Sequence, residues 1–83
     1  MALFMIERNF VEGLDPDALD HEGIRLVNDE VGVRWLYSFL SADKKKTYCL
    51  YEAPNAEAIR EAALRVGIPA DVIVVVDQLL PLA

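Results

Sequence analysis

Cysteine and histidine are nearly missing from this chain: there is one of each, Cys49 and His21, in 83 residues. A lone cysteine excludes an intramolecular disulfide framework and leaves no partner for a Cys-x-x-Cys metal or redox motif, so a reducing, cytoplasmic location is expected. Cations are also scarce. Eight Lys and Arg stand against fourteen Asp and Glu, for a formal net charge of −6. That balance argues against nucleic acid, whose phosphates are bound by clustered Lys and Arg, and against an anionic membrane surface. The one basic run, Lys44-Lys45-Lys46, follows Asp43 where the pattern puts a hairpin tip, and reads as solvated. The four glycines fall at turns or in the first helix and build no phosphate-cradling loop. Long apolar runs are missing as well: Met1 to Ile6 is cut off by Glu7 and Arg8, too soon for a signal peptide or a membrane span.

What the chain has in quantity is apolar residues, 54% of the total. Residues 1–83 are enough for one domain with a thin core, and the apolar excess predicts a homodimer in which a second subunit covers what one chain leaves wet.

The most informative stretch runs from Val33 to Ala53, where two aromatic-rich segments of period two meet across a charged turn and lead into a helix start at Pro54-Asn55. The first segment sets Val33, Trp35, Tyr37 and Phe39 against Arg34, Leu36, Ser38 and Leu40. The second, Thr47 to Glu52, sets Thr47, Cys49 and Tyr51 against Tyr48, Leu50 and Glu52. Upstream, Leu3 to Phe10 alternates as a first strand. Asp15 and Pro16 then open a helix expected over 16–31, with Leu19, Ile24, Val27 and Val31 inward, Asn28 at water and Gly32 as its stop. Asn55 caps a second helix over 56–66, with Ile59, Ala63 and Leu64 inward, ended by Gly67 and Pro69. The β-branched run Val72 to Val76, within 70–80, reads as a fourth strand buried on both faces.

The order βαββαβ closes most economically as an α+β, ferredoxin-like sandwich, a four-stranded antiparallel sheet with two helices on one face. Phe4, Ile6, Leu36 and Leu50 are expected to point to the helices, leaving Met5, Glu7, Trp35, Tyr37, Cys49 and Tyr51 on the open face, unless a bulge reverses the parity.

The strings Val33-Arg34-Trp35-Leu36-Tyr37-Ser38, Ser41-Ala42-Asp43, Lys46-Thr47-Tyr48-Cys49-Leu50-Tyr51-Glu52-Ala53-Pro54 and Glu57-Ala58-Ile59-Arg60-Glu61-Ala62-Ala63 closely resemble a family of small bacterial proteins, DUF4242, some of whose members are labelled nickel-binding. Arg8 and Gly67-Ile68-Pro69-Ala70-Asp71 extend the resemblance over nearly the whole chain. It implies a dimeric ferredoxin-like fold, and nickel or another divalent metal as cofactor. The nickel-binding members carry histidines in the first strand and in both helices. This chain matches that pattern only at His21; Arg8 or Asn9 occupies the first-strand position, and Ala58 to Ala63 holds no histidine.

Read from the residues themselves, His21 with Asp17, Asp20 and Glu22 is the one local metal-ligand cluster, with Asp17 and His21 on one helical face. It is weak unless a symmetry mate adds ligands. Glu7, Trp35, Tyr37, Cys49 and Tyr51 are the candidate ligand pocket: aromatic area for a small organic molecule with Glu7 as polar anchor, or else dimer-interface core. Cys49 has no histidine near it in sequence and reads as packing, and the basic signature of RNA-binding sheets is missing around Tyr48 and Tyr51. The expected function is a small dimeric binding or accessory protein for a small ligand or a divalent metal. The alternative, by analogy of fold, is a cofactor-free monooxygenase- or isomerase-like enzyme with Glu7 as general base.

Overall fold

The computed structural model describes residues 1–79, so Leu80, the expected end of the last strand, lies outside the described residues. Strands β1 (Ala2–Asn9), β2 (Arg34–Leu40), β3 (Lys46–Ala53) and β4 (Val72–Val76), with helices α1 (His21–Val31) and α2 (Ala56–Val66), follow the order βαββαβ. The four strands form one antiparallel sheet in the order β2-β3-β1-β4. Both helices pack on one face of it, over a core of Phe4, Ile6, Val33, Cys49, Tyr51, Ala53, Ile59 and Ala62. The fold is the expected α+β, ferredoxin-like arrangement. No helix among the described residues is long and apolar enough to cross a membrane.

Three local expectations are corrected. The helix foreseen over 16–31 is two pieces: a 3-10 turn, Pro16–Ala18, capped by Asp15, and α1, capped separately by Asp20, whose carboxylate accepts from the Gly23 N–H at 3.0 Å. Leu19 between them is extended, because a second aspartate competes for backbone N–H groups and restarts the helix. Inward positions also shift. Asn28, expected at water, is buried in α1, and in α2 Ala62 is buried while Leu64 is exposed. Finally, β4 pairs only with β1 at the sheet edge, so its valines are largely exposed rather than buried on both faces. An unbroken apolar run does not distinguish an edge strand from a central one.

The parity of the sheet faces is corrected as well. Residues directly opposite on paired strands share a face. Phe4 faces Tyr51 and Ile6 faces Cys49, which puts Cys49 and Tyr51 on the helix side and Leu50, opposite Met5, on the open side. In β2 the register slips between Trp35 and Tyr37, so Leu36 is a bulge residue. Trp35, opposite Tyr51, therefore joins the helix side, and Tyr37, opposite Leu50, the open side.

Candidate functional site

Period two carries β1 from Phe4 through Ile6 to Arg8, so the sequence delivers an arginine to the helix side of the sheet, where it is 3% exposed. Its guanidinium donates to the Pro69 carbonyl at 2.5 Å and to Tyr51 Oη at 3.4 Å, and its Cζ lies 5.8 Å from the Tyr51 ring centroid. No carboxylate of the described residues forms an ion pair with it.

Arg8 borders a cavity of about 200 Å³ between the sheet and the segment leading into α1. Phe10, Leu14 and Leu19 line it from that segment, Ile24 from α1, Ile68 from the turn before β4, and Trp35, Cys49 and Tyr51 from the sheet. The segment is tied to the β2–β3 hairpin by backbone bonds from Phe10 to Lys45 and from Leu14 to Lys44, each 2.7 Å.

Three rings stand parallel along one side. His21, the first residue of α1, stacks on Trp35 with centroids 6.1 Å apart, and Trp35 stacks on Tyr51 at 6.4 Å. Below them runs a chain of hydrogen bonds: Trp35 Nε1 donates to Ser38 Oγ (2.6 Å), Ser38 Oγ to Cys49 Sγ (2.9 Å), and Cys49 Sγ to Thr47 Oγ1 (3.7 Å). The thiol is thus engaged on both sides by hydroxyls, which supports its reading as packing. Burial raises the Tyr51 phenol above its ordinary range, and the neighbouring Arg8 charge works against that rise.

Of the five residues expected to share a pocket, Trp35, Cys49 and Tyr51 line this cavity, on the helix side and not the open face. Glu7 and Tyr37 point the other way. Glu7 sits half-buried with Lys46 Nζ 3.8 Å from its carboxylate, and Tyr37 is exposed. One pocket holding Glu7 with the stacked rings is not assembled, so Glu7 as general base finds no support in this geometry. Sequence reasoning missed Arg8 and Leu14 as lining, and read Phe10 and Leu19 only as parts of a strand face and a helical stripe. The alternation Phe4-Ile6-Arg8 already carried the signal for Arg8.

The expected metal cluster is dispersed. Asp20 is spent on a cap, Glu22 pairs with Arg25 at 2.5 Å, and the break at Leu19 removes Asp17 from the helical face of His21. Among the described residues no group of three or more His, Cys, Asp and Glu is placed to hold a metal ion.

No curated protein matches the chain. Among solved structures it is similar to the crystal structure of SCO4226 from Streptomyces coelicolor A3(2), at 28% identity over 99% of both chains and a TM-score of 0.76. The model of the family described as nickel responsive protein SCO4226-like matches residues 4–76, spanning all the strands and helices except the first two residues of β1. The chain therefore belongs to the SCO4226-like family of nickel responsive proteins.

Proposed function

We propose that this protein is a small-ligand-binding homodimer that holds one organic molecule in the cavity between the helix side of its sheet and the segment at 10–21. The observation that carries this reading is Arg8, a buried cation with no ion pair to any carboxylate of the described residues, at the wall of an otherwise mostly apolar cavity. Taking a guanidinium out of water is costly unless its donors are met, and a binding site supplies a reason to keep one there. The apolar residues on the opposite, open face of the sheet support the dimer.

The family description ties its members to nickel. The residues of this chain do not fit a nickel site built within one subunit: the single imidazole is stacked on an indole, and the nearby acids are engaged elsewhere. Late divalent metals need several imidazole or thiolate ligands to be held tightly.

Native mass spectrometry of the untagged protein as purified tests the reading. The expected spectrum is a dimer whose excess mass, released on denaturation, is organic. A stoichiometric nickel increment that disappears in His21→Ala would overturn it in favour of the metal.

A further inference from the structure

We infer that the cavity takes a monoanion built on one flat apolar ring, an aromatic carboxylate, with its carboxylate on Arg8. This rests on the small-ligand reading above and names the ligand class for the same site.

The first ground is charge. Every other arginine, Arg25, Arg34, Arg60 and Arg65, lies within 4 Å of a carboxylate although all are exposed. Arg8 alone is buried, and Arg8 alone among the described arginines has no acid. A guanidinium offers five N–H donors, and the two acceptors it reaches, Pro69 O and Tyr51 Oη, are both neutral. The chain has fourteen Asp and Glu, none of the described residues pairs a carboxylate with Arg8, and a bound anion is the source of charge this proposal assigns. A carboxylate matches the guanidinium fork and can take two parallel hydrogen bonds from it.

The second ground is shape and polarity. A dry apolar cavity of about 150 Å³ is enough for benzene, and this one measures about 200 Å³, space for one ring with a short polar group. Trp35 and Tyr51 present parallel rings, Leu19 and Ile24 close the apolar walls, and Ser38, Thr47 and Cys49 are engaged with one another. Of the other polar groups on the wall, His21 is exposed and stacked on Trp35, and Arg8 is the buried cation with N–H donors beyond the two it uses. An inorganic anion would leave the apolar walls uncovered, and a nucleotide exceeds the volume.

The test is calorimetric titration of the full chain with benzoate and phenylacetate against benzamide and phenylacetamide. In the wild-type chain, fluorescence of Trp35, its one tryptophan, gives a second readout at the site. Charge-assisted bonds to Arg8 should make each acid bind at least roughly tenfold more tightly than its amide. Leu19→Trp, which fills the cavity and leaves Arg8 in place, should weaken the acids by a similar factor. The acid–amide pairs carry the test without touching Arg8, whose bond to Pro69 makes its own substitution a risk to folding.

Equal binding of acids and amides would overturn the assignment of charge and leave the cavity reading standing. Acid affinity left unchanged by Leu19→Trp would overturn the location. Failure of all four probes, alongside an organic adduct in the native spectrum, would overturn the ligand class alone; failure of all four with no adduct would take the small-ligand reading with it.

Discussion

Tyr51 shows how one residue of this chain is asked to do several things. Its ring meets both the Trp35 indole and the Arg8 guanidinium, and its hydroxyl accepts from Arg8. Burial holds its phenol above the ordinary value of 10.0, with Arg8 pulling in the opposite direction. Because the folded protein holds this proton more tightly than the unfolded chain, its contribution to stability is whole below about pH 10 and is lost as pH rises through the folded value. Thermal unfolding of wild type between pH 8 and 11 should therefore steepen above 10, and Tyr51→Phe should remove that part of the loss. The same alkaline slope in both proteins would show that Tyr51 is not the group responsible. At this scale much was legible in the sequence: period two alone brings Arg8 into line with Phe4 and Ile6. What period two could not reveal is that Arg8 would arrive without an acid, because that depends on where fourteen carboxylates from the rest of the chain end up.

At the scale of elements, local chemistry marked the ends and missed the interruptions. Asp15, Gly32, Asn55 and Gly67 act where their cap preferences say they should, with both glycines left-handed at φ 75° and 71°. The bulge at Leu36 and the second start at Asp20 were not legible, since each is settled by competition between partners rather than by the residue itself. Gly23 reflects that competition. A methyl group at its Cα would run into the Asp20 carboxylate, so the glycine keeps room for the cap. In an ordinary helix Gly→Ala stabilises by about 1 kcal/mol; here Gly23→Ala should gain nothing or lose, because losing a cap costs about 1 kcal/mol. In an Asp20→Ala background the same change should recover its usual gain, a coupling that denaturant unfolding of the four proteins would measure. Simple additivity would show that the carboxylate and the glycine are independent.

For the whole molecule, the sheet has one covered face and one that is not. Tyr37 and Phe39 are each 64% exposed, and Val72, Val74 and Tyr48 accompany them on the open side. Glu7–Lys46 and Arg34–Glu52 pairs on that face leave its charge balanced rather than repulsive toward a second copy. For the proposed dimer, Val74→Glu on this face should give a monomer in sedimentation velocity while leaving the circular dichroism spectrum unchanged; a dimer undisturbed by it would send the search for the contact to the strand edges. The topology was legible because alternation, caps and breakers agree along most of the chain. The cavity was not, because its far wall is the segment at 10–19, whose Phe10 and Leu19 read as parts of a strand and a helix and which is held in place by the carbonyls of a distant hairpin.

The strand order carries a consequence for how the chain is made. Of the four strands of this sheet β1 is synthesised first, and it lies between β3 and β4, so its second partner, beginning at Val72, emerges 63 residues after β1 ends at Asn9. At ribosomal speeds of about 5–20 residues per second that is a wait of roughly 3–13 s. Throughout it Phe4 and Ile6 sit on a strand with at least one unpaired edge, the state most open to mispairing with a neighbouring nascent chain.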